Sequence, residues 1–294
     1  MFKRISKGDV VFDSVNTILL VMFFLVAAYP LYFVLIASIS EPEFVNRGEI
    51  FLIPNGISIA SYEAVFKDSR ILMGYRNTIF YTTFGTFLSV CATVGAAFAL
   101  SRKELKGRKF LMGYFLLTMY FKGGLIPTYL VVKSLDLVNK PVVMIIFGAV
   151  NVFNLIICRT FFDNNIPDEL WEAATIDGCT MWGFFWKIAL PLSKTIISIM
   201  VLYYAIAHWN EYFNAMIYLN KMEYYPLQLF LREILVQNQS MSMDVDPMML
   251  DEVQKRADAI KYAVIVVASA PVLALYPFVQ KYFVKGVMVG SVKG

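Results

Sequence analysis

Long charge-free stretches alternate along the chain with short polar ones, and the lengths of the charge-free stretches carry most of the information. A helix needs roughly 20 apolar residues to cross a hydrocarbon core, because it rises only about 1.5 Å per residue. Stretches of that kind occupy residues 14–40, 77–101, 110–132, 141–161, 195–220 and 260–281. The third has Lys122, Gly123, Gly124 and Pro127 in its middle, and the fifth is interrupted by Glu211. The pattern predicts an all-α membrane protein, a single transmembrane domain over residues 1–294 with six transmembrane helices.

Composition agrees. Of 294 residues, 59% are apolar or aromatic and 16% are charged, and the mean hydropathy is +0.62. Soluble domains carry about a quarter charged residues. The net charge of +4 is too small and too dispersed to point to nucleic acid. Three cysteines without a Cys-x-x-Cys pair, and one histidine, offer too few ligands for a zinc or iron–sulfur site. Cys91, Cys158 and Cys179 read as unpaired small residues.

Charge placement sets the orientation. With the N-terminus inside, residues 1–13, 101–109, 159–194 and 281–294 face the cytoplasm and hold 14 Lys or Arg against 8 acids, while the rest of the chain holds 12 against 14. Arg102, Lys103, Lys106, Arg108 and Lys109 crowd one short inner loop. The positive-inside rule therefore predicts cytoplasmic N- and C-termini. Lys3, Arg4 and Lys7 precede the first stretch, which is too long for the apolar region of a signal peptide and reads as an uncleaved anchor. No internal repeat is visible, so a path for a large solute would be lined together with another subunit.

The inner loop over residues 163–191 predicts a short helix with defined ends. Pro167 suits a first helical position, Asp168 and Glu169 complement the positive end of the dipole, and Gly178 can close the C-terminus. Leu170, Ala173 and Ala174 give it a face of small and apolar groups open to another protein. Beyond it, Trp182, Phe184, Phe185 and Trp186 are aromatics suited to the headgroup level. On these grounds alone the loop is either a docking element or a re-entrant connector with no partner.

The spacing of the loop goes further. Glu172-Ala173-Ala174, three residues, Gly178, nine residues, then Ile188-Ala189-Leu190-Pro191 resembles the "EAA" loop of permease subunits of binding-protein-dependent ABC importers. Ile166-Pro167-Asp168-Glu169-Leu170 before it and Pro191-Leu192-Ser193-Lys194 after it resemble the maltose-type (MalG-like) carbohydrate permeases. Ala97-Phe98-Ala99-Leu100-Ser101-Arg102 and Trp209-Asn210-Glu211-Tyr212-Phe213 extend the likeness over most of the chain. Gly123-Gly124-Leu125-Ile126-Pro127-Thr128-Tyr129 and the tail ending at Gly294 are similar to the LplC/YtcP-like group, which imports complex oligosaccharides.

The resemblance implies a cytoplasmic coupling helix at residues 168–177 that docks on an ATPase, with Glu172, Ala173, Ala174, Asp177, Gly178, Leu190 and Pro191 as the coupling residues. It implies residence in the bacterial plasma membrane among lipid. The implied partners are a second homologous permease, two ATP-binding subunits, an extracytoplasmic sugar-binding protein and a carbohydrate. The chain carries no GxxxxGK[ST] loop, so it is read as a non-enzyme without a cofactor, with ATP and Mg²⁺ used by the partner ATPase.

For the substrate path, polar groups inside spans are informative because they are costly there. Tyr204, His208, Trp209, Asn210 and Glu211, with Asn214, lie in the fifth stretch, and Asn151 and Asn154 in the fourth. Aromatic faces with amide and carboxylate groups suit a sugar, and equally they suit hydrogen bonds between neighbouring helices. His208 and Glu211 also leave open an ion-coupled secondary transporter, against which the coupling loop and the lack of a repeat argue; a permease for a non-sugar solute is the remaining alternative. The outer loop over 221–261, rich in Met, Gln and Asn with Asp244, Asp246, Asp251 and Glu252, is either a contact for the binding protein or a solvated loop. The tail over 281–294 either frays or reaches the ATPase pair.

Overall fold

The computed structural model describes residues 7–240 and 260–274. The acids of the outer loop at 244–252, the end of the sixth predicted span and the C-terminal tail lie outside the described residues. The chain divides into two compact units, residues 1–69 with 233–270, and residues 70–232 with 271–294.

In the first unit, α1 (Lys7–Ser38) is a long apolar helix with Pro30 inside it. It begins earlier than the predicted 14–40, since residues 7–13 continue its hydrogen-bonded turns. A short α2 (Pro42–Asn46) and α3 (Ala60–Lys67) follow. Tyr32 Oη donates to the carbonyl of Leu52 at 2.5 Å, and Ser38 and Tyr62 share a hydroxyl bond of 2.7 Å. Ile36, Ala37, Val45 and Ile50 form a small buried cluster. Phe33 meets Tyr262 of α15 (Ile260–Ala274), named here ahead of its place in the chain, edge to face at 5.8 Å.

The second unit is organised on α4 (Ser69–Ser101). Together α1 and α4 are, among the described residues, the two helices long and apolar enough to cross a membrane unaided. The third, fourth and fifth predicted spans are broken. The stretch 110–132 consists of α5 (Arg108–Tyr120) and α6 (Leu125–Ser134), bent by 117°. The cause is local: Gly124 adopts φ +83°, a conformation that a residue with a Cβ reaches only with strain. The stretch 141–161 is α7 (Val143–Ile146) and α8 (Val152–Asn165), parted around Gly148 at φ +74°.

The inner loop holds α9 (Asp168–Ile176), α10 (Met181–Phe184), a π-helical turn at Phe185–Ala189 and α11 (Leu190–Leu192). The chain then bends by 79° into α12 (Lys194–Trp209). The fifth stretch ends in α13 (Phe213–Tyr218), after a break at Asn210–Tyr212. Last comes α14 (Leu227–Ser240).

Two apolar clusters hold this unit. One joins Val94, Ala97, Phe98 and Leu100 of α4 to Leu155, Cys158 and Phe162 of α8, Phe184 and Phe185 of the inner loop, and Met200 and Tyr204 of α12. The other joins Tyr81, Val132, Met144, Ala215, Tyr218 and Leu229. Near its start α4 is fastened to the segment after α13: Asn77 Nδ2 donates to the carbonyls of Glu223 at 2.8 Å and Tyr225 at 3.0 Å, and Thr78 Oγ1 accepts from Leu227 N at 2.8 Å.

Gly74 makes that approach possible. A Cβ there would stand 2.9 Å from the Leu227 Cα and 2.9 Å from the Phe230 ring. Backbone cannot step aside as a side-chain end can, so Gly74→Ala is expected to cost about 1–3 kcal/mol. The measurement is a lowered thermal midpoint of the detergent-solubilised protein, with Gly95→Ala, where nothing lies within 4 Å of the added Cβ, as the control that does not lower it, since alanine is the better helix former.

Candidate functional site

The acidic helix of the inner loop is built almost as its residues dictate. Pro167 is extended, at φ −65° and ψ 154°, and forms the N-cap, one place before the predicted first helical position. Asp168 and Glu169 fill the first turn, where the dipole favours negative charge. Asp177 ends the helix and Gly178 takes φ +74°. The Cys179 N–H then returns to the Ala174 carbonyl at 2.8 Å and the Gly178 N–H to Thr175 at 3.0 Å. This double return is a Schellman-type stop, which requires a left-handed residue at Gly178.

The exposed face differs from the predicted one. Ala174 is buried in the unit's own core, and Trp171 packs edge to face on Phe184 at 5.2 Å. Leu170, Glu172, Ala173, Thr175 and Asp177 are exposed, and Ile176 is 87% exposed. Of the predicted face of Leu170, Ala173 and Ala174, Leu170 and Ala173 stay open, Ala174 does not, and Glu172 and Ile176 are open beside them. The helix turns about 100° per residue, and the anchoring Trp171 brings Ala174 inward with it.

The aromatics after Gly178 also divide. Trp182 and Trp186, one turn apart, are exposed, while Phe184 and Phe185 are buried against Phe98. Of the four aromatics read as suited to the headgroup level, only the two tryptophans are exposed. Leu190 packs against the core and Pro191 is exposed on α11. Proline has no N–H for the preceding turn, and the π-helical turn lies directly before it.

What holds this helix is a group of basic residues that sequence reasoning used only for orientation. Arg102 is buried, donates from Nη2 to the Ile166 carbonyl at 3.2 Å and from Nε to Ser101 Oγ at 3.1 Å, and lies over the Phe98 ring. Arg108 donates to the Ser101 carbonyl at 3.0 Å and Arg159 to that of Leu100 at 3.1 Å. Cations thus occupy the negative end of the α4 dipole and satisfy its last carbonyls. Lys103 pairs with Asp168 at 2.5 Å. Its hydrogen bond and charge hold the Asp168 carboxyl below the usual 3.8, and Asp168 in turn raises the Lys103 ammonium above 10.5. An open cleft of about 580 Å³ runs beside this pair, lined by Trp171, Glu172, Thr175 and Ile176.

A second group of candidates meets at a polar cleft of about 170 Å³ where broken helices face one another. Asn151, Asn154, Tyr204, His208 and Glu211 line it, with Asn214, Met144, Phe147 and Gly148. Trp209 and Asn210 do not: Trp209 is buried beside Tyr75, and the Asn210 amide donates back to the Ile206 carbonyl at 2.9 Å. The helix ends at Trp209, so the face carrying His208 is not continued by Asn210.

Several lining groups already have partners. Tyr204 Oη accepts from Asn151 N at 3.0 Å and bonds Thr93 Oγ1 at 2.6 Å. Asn151 Oδ1 caps α8 by accepting from Asn154 N, and Glu211 Oε1 accepts from Asn214 N at the start of α13. His208 Nε2 lies 3.4 Å from Ser89 Oγ, its ring in the space left by Gly85. These bonds supply the backbone at helix breaks with the partners that lipid cannot provide.

Long apolar helices, helices broken at polar clefts, and a short acidic helix tied to a basic helix end define a transport component of a membrane. The chain belongs to the family of binding-protein-dependent transport system inner membrane components, whose model matches residues 2–289. Members are permease subunits of ABC importers and not enzymes. The chain is 42% identical to the polygalacturonan/rhamnogalacturonan transport system permease protein YtcP of Bacillus subtilis, over 96% of this chain and 98% of that protein. It is 38% identical to Protein LplC of the same organism, over 98% and 97%. A crystal structure of a bacterial ABC transporter involved in import of the acidic polysaccharide alginate contains a chain of 34% identity, with TM-score 0.85 over 96% of this chain and 99% of that one.

Two predictions follow from the basic clamp. Arg102→Met, which removes a charged donor from the buried Ile166 carbonyl, is expected to cost about 1.5–3 kcal/mol, read as a lowered thermal midpoint. The Lys103–Asp168 pair is intact above the usual carboxylate value. It is lost as pH falls through the depressed Asp168 value, or as pH rises through the raised Lys103 value. Lys103→Ala should return the Asp168 titration, followed by carboxyl NMR, upward toward 3.8 and speed amide exchange in the first turn of α9.

Proposed function

We propose that the chain is the transmembrane permease subunit of an ATP-driven ABC importer that takes up carbohydrate, delivered as an oligosaccharide by an extracytoplasmic binding protein. The observation that carries the reading is the inner loop. A Glu172-Ala173-Ala174 helix closed by a left-handed Gly178 is held to the end of α4 and offers Glu172, Ala173 and Ile176 to solvent. The polysaccharides named for the relative YtcP and for the solved alginate importer support a carbohydrate substrate.

In this reading the chain crosses the membrane six times with both termini in the cytoplasm. It pairs with a second homologous permease, and two ATP-binding subunits hold ATP and Mg²⁺; this chain binds no cofactor. The acidic helix docks on one ATPase. Glu172, Ala173, Asp177 and Gly178 form the docking surface, Ala174 anchors the helix inward, and Leu190 and Pro191 complete the loop at the elbow. When the ATPases close, displacement of the helix passes through the Arg102 and Lys103 ties to α4 and through the elbow to α12, so that packed helices move as rigid bodies. The Asn151, Asn154, Tyr204, His208 and Glu211 cleft contributes to the solute path, with Trp209 and Asn210 as its support.

Glu172→Lys and Gly178→Asp are expected to lower ATPase association and uptake at least about tenfold, roughly 1.4 kcal/mol of coupling, while membrane insertion is retained. Normal uptake by both variants overturns the docking role. In proteoliposomes containing the full assembly, uptake should require ATP and persist when the proton gradient is collapsed. An oligosaccharide on its binding protein should stimulate ATP hydrolysis, and stimulation by an amino acid in its place would refute the carbohydrate assignment.

A further inference from the structure

Arg76, on the opposite end of α4 from the basic clamp, is not engaged as the clamp residues are. Arg102, Arg108 and Arg159 bond carbonyls, and Lys103 and Lys140 pair with Asp168 and Asp136. Among the described residues no carboxylate lies within ion-pair distance of Arg76, and its side chain is exposed. It lines a cleft of about 620 Å³, within the roughly 300–1,000 Å³ of small-molecule sites.

The walls of this cleft are chemically uneven. Phe80 and Phe84, one and two turns below Arg76 on the same face of α4, are exposed and lie 4.7 Å apart. Tyr224 faces them. The nearby polar groups are engaged: the Asn77 amide donates to two carbonyls, Tyr81 Oη donates to the Tyr224 carbonyl at 2.9 Å, and the Glu223 carboxylate lies 3.6 Å from Lys221. What remains is a planar cation without an ion-pair partner in a cleft that it shares with three aromatic rings. Arg76 lies 25 residues before the end of α4, about 38 Å along the axis and beyond a hydrocarbon core of about 30 Å. In the proposed orientation this is the outer mouth of the permease.

We propose that this cleft receives an acidic saccharide, with Arg76 reading the carboxylate of a uronic-acid unit and Phe80, Phe84 and Tyr224 covering apolar sugar faces. A guanidinium meets a carboxylate through two parallel N–H···O bonds, a match that a neutral hexose cannot offer. The proposal rests on the carbohydrate reading above and narrows it to a charge class. The one acid on the walls, Glu223, is countered by Lys221, which lies over the Tyr224 ring, so Arg76 sets the sign of charge in the cleft.

The test uses the full assembly with its binding protein in proteoliposomes, and trigalacturonate against its carboxyl-reduced counterpart as probes. Binding of both to the assembly in nanodiscs is measured in parallel. Arg76→Gln is expected to weaken binding and uptake of trigalacturonate about tenfold or more, the scale of a lost charged bidentate pair, and to leave the reduced trimer within about twofold. Arg76→Lys, keeping charge without the fork, should fall between. Equal loss for both probes would assign Arg76 to packing, and unchanged trigalacturonate handling would assign it to lipid headgroups or a partner subunit; either overturns the proposal. An assembly that transports neutral oligosaccharides and rejects trigalacturonate overturns it while sparing the carbohydrate reading. Failure of every saccharide to stimulate ATP hydrolysis overturns the carbohydrate reading itself.

Discussion

The carboxyl end of α4 is the point on which the second unit depends. A helix of 33 residues ends with carbonyls that have no partner within the helix, and its dipole concentrates negative charge there. Arg108 and Arg159 satisfy the Ser101 and Leu100 carbonyls, and Arg102 carries the connection on to Ile166, two residues before the acidic helix. Phe98, one turn earlier, lies under Arg102 and against Phe162, Phe184 and Phe185. A single helix end therefore joins α4, α8, the acidic helix and the elbow into one packed body. Fastened through short hydrogen bonds and ring contacts, the acidic helix cannot be displaced without moving its neighbours.

The breaks in the apolar stretches follow a second constraint. A break frees backbone N–H and C=O groups that lipid cannot satisfy, and at the starts of α8 and α13 side chains of the chain itself supply the partners. Asn151 repairs the start of α8, Glu211 the start of α13, and Tyr204 the backbone of Asn151. Polar residues that sequence reading placed on a solute path thus have structural partners, and the cleft they line exists because the helices stop there. Packing comes first here: the amide and carboxylate orientations in the cleft are set by capping.

Much of the inner loop was legible in the sequence. Asp168, Glu169 and Gly178 act locally, through the dipole and through φ, and their effects need no distant neighbour. The direction in which Ala174 faces was not legible, because it depends on Trp171 meeting Phe184 across the loop. Nor was the role of Arg102: in sequence it is one of five nearby basic residues, and only the fold puts the Ile166 carbonyl within its reach. The long runs of α1 and α4 were read from length alone. Lys122, Gly123, Gly124 and Pro127 were read as weakening a single span, and the 117° bend between α5 and α6 was not legible.

The sequence by itself determined what depends on composition and short spacing: a lipid-embedded helical chain, the sign of charge on each connecting loop, and an acidic helix closed at Gly178. These follow from hydrophobic transfer and from backbone geometry, which act over a few residues. The tertiary structure decided which polar residues share a cleft, which face of the acidic helix stays open, and that Arg76 shares a cleft with Phe80, Phe84 and Tyr224. Those outcomes depend on residues tens to more than a hundred positions apart meeting in space, as Asn77 meets Glu223, and no local pattern encodes such a meeting.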